Sequence, residues 1–344
     1  MEAFSEKVAL SEGALRRGRY TPTLEVVSLT RPRVRLLEDL AACRILTIQQ
    51  IMYLSGLAKH SAQRHLRLLF DGGYIAVVPI SRSALAGPGD PNDASLLFGS
   101  APNIYVMTKK GLRYLEKAGL LAPEDALEVL PGYGPKNHLF LRHALLIKDM
   151  HIWLLMQSRR SQDSASTGNS ASLVENHFER WLEGQEATFT LPTGGKGQRR
   201  VLPDAWFSYR FRFAPDPLVT LCLLEADRGT ERGMRHWPEK VQSYVRLLYS
   251  GELQKQSGYE GGRIVVLTLD AARRDSLAAR LQEMVKAQET HSGLEISSFA
   301  RRFWLVSRED LLSSDWISPV WCNLTHVGLV PFLTPAQLKV TALG

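Results

Sequence analysis

The sequence predicts an α+β chain in two parts: a small helical domain carrying a two-stranded hairpin, then an α/β domain built on a mixed sheet. Three observations carry this. Apolar residues recur at helical spacing between about residues 31 and 70, then give way to two short strand-like runs. Beyond about residue 172, strand-like and helix-like segments alternate. The length, 344 residues, exceeds one average domain and suits two.

The predicted boundaries are a flexible arm over 1–30, a first domain over 31–120, a second over 136–312 and a C-terminal tail over 313–344. In the first domain, Leu36, Leu37, Leu40 and Ala41 mark a helix over roughly 31–43. Thr47 is placed to cap a second helix bearing Ile48, Ile51 and Met52, and Gly56 supplies the positive φ of a tight turn after it. A third helix, roughly 61–70, buries Ala62, Leu66 and Leu69 and ends at Gly72-Gly73. Strands follow at 74–78 and 103–107, joined by a Gly/Pro/Asp/Ser-rich loop over 81–102. Thr108 then caps a further helix to Ala118. Helix, helix, helix, strand, loop, strand is the order of a winged helix-turn-helix.

Apolar spacing from 136 to 158 predicts a long helix, broken by a Ser/Asn/Gln-rich surface loop over 158–172. Strands are expected at 189–191, 201–213, 218–225, 263–269 and 303–306, with helices at 231–249 and 271–287. A lone helical histidine, His143, is expected to pack rather than to catalyse.

Composition excludes several classes. Apolar content of 44% and charged content of 22% fit a soluble globular chain. There is no run of about 18 apolar residues to cross a membrane and no apolar stretch of a secretory leader. Cys43, Cys222 and Cys322 stand far apart, against a zinc site or disulfide framework, and a cytoplasmic location is expected. The formal charge is +7, and residues 1–120 hold 16 Lys+Arg against 10 Asp+Glu, so the excess lies in the first domain and suits a polyanion.

The third helix presents Lys59, His60, Gln63, Arg64 and Arg67 away from its apolar side. Arginine can meet guanine, and glutamine adenine, through paired hydrogen bonds in the major groove. Arg33, Arg35 and the wing residue Arg82 suit phosphate contacts. The expected partner is double-stranded DNA.

In the second domain Asp204 follows Pro203 at a strand start, and Glu225 and Asp227 share one face at the end of an apolar strand. Carboxylates on adjacent strand ends suit Mg²⁺, a hard cation that takes oxygen ligands. The layout resembles the PD-(D/E)xK nuclease core, which expects a lysine where Asp227 stands; Lys240 on the next helix would be the substitute, and Glu175 would complete the acidic set. Against this, Asp204 would simply cap a turn, while Glu225 and Asp227 would pair with Arg228, Arg232 or Arg235.

Leu46–Ile51, Arg64–Leu69, Gly73-Tyr74-Ile75, Tyr105–Thr108, Leu141–Leu145, Pro203-Asp204-Ala205, Glu225–Glu231, and Lys240 with Tyr244 resemble the plasmid replication-relaxation family of bacterial proteins. The resemblance implies a DNA-binding accessory protein of plasmid or mobile-element replication or mobilisation, with a degenerate nuclease-like second domain. A relaxase or replication protein would be its partner, and a second copy of the chain, in a homodimer, is a further candidate partner. Two competitors remain: a Mg²⁺-dependent endonuclease using Asp204, Glu225, Asp227 and Lys240, and a transcription regulator.

Overall fold

The computed structural model describes residues 22–78, 103–122, 138–166, 175–192, 197–212, 218–229, 231–292 and 297–333. The chain divides into two compact units, Met1–Lys148 and Asp149–Gly344.

The first unit opens with α1 (Arg31–Cys43), which has proline in its first turn, where a missing N–H costs nothing. Next come β1 (Ile45–Thr47), α2 (Ile48–Ser55) and α3 (Lys59–Asp71). Thr47 and Gln50 form a capping box at the start of α2, and Gly56 closes it at φ +65°. Then β2 (Ile75–Val78), β3 (Ile104–Met107) and α4 (Lys109–Lys117) complete the set, with Thr108 capping α4 through the Gly111 N–H. The strands form an antiparallel sheet in the order β1-β3-β2. Leu37, Leu40, Ile51, Leu66, Leu69 and Leu115 are buried in its core. The helices and the hairpin strands stand where the sequence predicts them. The addition is β1, too short to show a period of its own. The loop expected as a wing, with Arg82, lies outside the described residues, as does much of the expected arm.

Helix α5 runs from His138 to Ser166, and the unit boundary falls within it. The predicted break at 158 does not occur. Ser161 is buried and its hydroxyl accepts the Asn176 N–H at 2.9 Å, so this part of the serine run is structural rather than a loop.

In the second unit β4 (Glu175–Glu183) precedes a two-stranded ribbon of β5 (Phe189–Pro192) and β6 (Gln198–Val201). Then follow β7 (Ala205–Arg212), β8 (Leu218–Asp227), α6 (Glu231–Tyr249), α7 (Glu252–Ser257), β9 (Gly262–Thr268), α8 (Ala271–Ser292), α9 (Ser297–Ala300), β10 (Phe303–Ser307), α10 (Arg308–Leu312), β11 (Trp321–Asn323) and β12 (Leu329–Val330). Seven strands form a mixed sheet in the order β12-β11-β10-β9-β8-β7-β4, with β8, β9 and β10 parallel and the outer pairs antiparallel. The predicted strand over 201–213 is two strands in different sheets, separated at Leu202-Pro203-Asp204. The segment expected as a tail supplies β11 and β12 and buries Trp316 and Trp321.

Alternate residues of the central strands face opposite ways. Leu221, Leu223, Ile264, Val266 and Leu305 join Trp237, Val241 and Tyr244 of α6 and Leu277 and Leu281 of α8 in one core. On the other face, Tyr209 and Phe211 meet Trp316, whose ring lies 4.4 Å from that of Trp153 on α5.

Candidate nucleic-acid interface and carboxylate cluster

In the first unit, Ala62, Leu66 and Leu69 of α3 are buried, while Lys59, His60, Gln63, Arg64 and Arg67 are all exposed. The 3.6-residue period alone produces that division. Arg67 pairs with Asp71 at 3.2 Å and remains 58% exposed, so its guanidinium is reachable. Between Arg64 and Arg67, His65 is drawn below its usual pKa by burial and then by the charges of Arg33 and Arg64. Arg33 donates to the Ser28 carbonyl and is half-buried; Arg35 is exposed beside Glu38, 3.8 Å away.

In the second unit, Pro203 ends the β6 segment, and Asp204 enters the sheet with its N–H on the Leu224 carbonyl at 2.9 Å. Its carboxylate accepts the Ala226 N–H at 2.8 Å, which fixes it beside the end of β8. Glu225 is buried at 2% exposure. One of its oxygens is paired with the Lys240 ammonium and the other accepts the Tyr244 hydroxyl at 2.5 Å. Lys240 also lies 5.6 Å from the Trp237 ring.

The charges act on one another. Burial pushes the Glu225 carboxyl up to about 7; the Lys240 charge opposes this and the Asp204 charge adds to it. Burial lowers Lys240, but the charges of Glu225, Asp204 and Asp227 outweigh it and hold the ammonium above its ordinary value. Lys240 therefore stands as the cation among three carboxylates.

Asp227 is oriented differently. Burial would raise its pKa, yet hydrogen bonds from Arg273 and Trp237 hold it below the usual range. Arg273 reaches both its oxygens, at 2.7 and 3.1 Å; Trp237 donates at 3.0 Å and the Gly229 N–H at 2.8 Å. Arg273, which binds Asp227, lies 46 residues on in sequence, while the side chains of Arg232 and Arg235 lie outside the described residues. The structure brings Asp204, Glu225 and Lys240 together, with Tyr244 joining them. The Glu175 side chain lies outside the described residues.

As they stand, Asp204, Glu225 and Asp227 do not turn a shared set of open oxygens toward one magnesium ion. Asp227 is saturated by four donors, and both Glu225 oxygens have partners. Among the described residues no group of three His, Cys, Asp or Glu is arranged to hold a metal.

The replication-relaxation family model matches residues 37–261, a span containing both α3 and the carboxylate cluster, and the chain belongs to that family. Membership points to a role in replication or relaxation. No curated protein sequence matches the chain. Among solved structures, restriction endonuclease FokI bound to DNA aligns at 11% identity over 82% of this chain and 43% of that one, with a TM-score of 0.22. A second structure of restriction endonuclease FokI aligns at 12% identity over 81% and 42%, with a TM-score of 0.21. The chain spans less than half the length of these enzymes. No helix among the described residues is long and apolar enough to cross a membrane.

Proposed function

We propose that this protein binds duplex DNA through α3 of a winged helix, as an accessory factor in plasmid or mobile-element replication or mobilisation. The observation that carries the reading is the simultaneous exposure of Lys59, His60, Gln63, Arg64 and Arg67 on a helix whose other side is buried. A helix so divided fits the major groove, with Gln63 and Arg64 able to meet base edges. Arg33 and Arg35, and Arg82 from the wing, contact phosphates in this reading. The second unit is a platform for a relaxase, a replication protein or a second copy of the chain.

A salt-titrated gel shift on plasmid-origin duplexes tests it. Binding should weaken steeply with salt as phosphate contacts release counterions. Unaltered binding by the Arg64→Ala, Arg67→Ala double variant would exclude α3 as the reading helix.

A Mg²⁺-dependent endonuclease is the second reading, favoured by one observation: Lys240 lies on Glu225 beside Asp204. It is the weaker reading because a metal would require Asp227 to leave Arg273 and Glu225 to give up a partner. Nicking of supercoiled plasmid in Mg²⁺ or Mn²⁺, abolished by Asp204→Ala, would promote it.

A further inference from the structure

Helix α4 carries more net positive charge than the proposed reading helix. Lys109, Lys110, Arg113 and Lys117 stand against Glu116, a net +3, where α3 has Lys59, Arg64 and Arg67 against Asp71, a net +2. Lys110 is accounted for by the fold: its ammonium donates to the Gly72 carbonyl at 2.7 Å and lies 4.6 Å from the Tyr74 ring. Lys109, Arg113 and Lys117 are not. All three are exposed, and none is in an ion pair among the described residues. They recur at every fourth residue, so they line one face over about 12 Å, at about 6 Å per step.

This placement works against the helix that bears it. Like charges at i, i+4 repel, and Lys109 in the first turn opposes the helix dipole, while only Lys117 in the last turn suits it. No acidic residue occupies the first turn of α4 to offset Lys109. The stripe is also firmly mounted. The Thr108 hydroxyl shares its single proton between the Gly73 and Tyr74 carbonyls, at 2.7 and 2.9 Å, and a Cβ at Gly111 would collide with the Tyr74 carbonyl and the Met107 thioether. The start of α4 is therefore fastened to the chain leaving α3.

We infer that the Lys109–Arg113–Lys117 face of α4 is a second DNA-contacting surface, binding backbone phosphates of the duplex irrespective of sequence. The inference rests on the DNA-binding reading of α3 and adds a non-reading contact to it. Evenly spaced ammonium and guanidinium groups without acidic partners complement a polyanion with one phosphate per 3.4 Å of axis on each strand, about the B-DNA spacing. A row of charges that runs along one helix face neutralises phosphates whatever bases lie between them.

The test uses full-length protein and fluorescence anisotropy on two duplexes, one from a plasmid origin and one of scrambled sequence, across a salt series. The Lys109→Ala, Arg113→Ala, Lys117→Ala variant should weaken binding to both duplexes equally, by about tenfold or more at about 0.2 M salt. Its log K against log salt should flatten by up to about 2.7, at about 0.9 for each phosphate left without its cation. Lys109→Arg with Lys117→Arg should bind as the parent does, and circular dichroism of all variants should coincide. An unchanged salt slope in the folded alanine variant overturns this inference and leaves the α3 reading standing. A parent protein that binds neither duplex overturns both.

Discussion

Lys240 on α6 and Glu225 at the end of β8 are ion-paired beside Asp204, with Glu225 buried and Lys240 still 38% exposed. The relationship places a compensating cation where a metal-dependent site would gather carboxylates. It also creates a proton site near neutrality.

The Glu225 carboxyl is at about 7 in the folded chain against an ordinary 4.5. A raised folded pKa means that the native state holds a proton the unfolded state has released. The associated stability is complete below about pH 4.5 and is lost as pH rises through about 7. Glu225→Gln removes the titration. The melting temperature of Glu225→Gln relative to the parent should therefore rise between about pH 4.5 and about pH 8. Parallel profiles for the two proteins would show that Glu225 does not titrate there.

Arg273 presents the opposite sign. It holds Asp227 ionised, so that contribution is present above Asp227's unfolded value of 3.8 and is lost as pH falls through the lower folded value. Arg273→Ala leaves a carboxylate of 4% side-chain exposure without its main counter-charge. The expected loss is about 3 kcal/mol in urea unfolding at neutral pH, and a loss below about 1 kcal/mol would mean that Trp237 and Gly229 suffice.

These pairs mark how far the sequence is legible. Thr47 and Gly56 announce α2 and its turn into α3 because capping and positive φ are local requirements. Alternation announces that Glu225 and Asp227 share a face. Arg273 cannot be found this way, since a pairing between β8 and α8 depends on how the sheet is covered. Ser161 is misleading for the same reason. A serine in a polar run reads as loop, but here its hydroxyl satisfies an N–H of β4, the edge strand of the sheet.

Ser161→Ala should accordingly cost more than a surface serine would. It leaves the buried Asn176 N–H without this acceptor, a loss of about 1–3 kcal/mol. Amide exchange at Asn176 should accelerate in the same variant. Exchange at the parent rate would mean that another group takes over the bond.

The proposed role of α3 separates charge from shape at Arg64. Lysine preserves the charge but loses the planar fork that pairs with guanine. Arg64→Lys should keep the salt slope and the affinity for scrambled DNA, because counterion release counts charges. Its affinity for the specific site should fall about tenfold, within the roughly 1–3 kcal/mol of a paired base contact. Equal weakening on both duplexes would make Arg64 a phosphate contact and move the reading function to Gln63 or Arg67, both of which are exposed on the same helix.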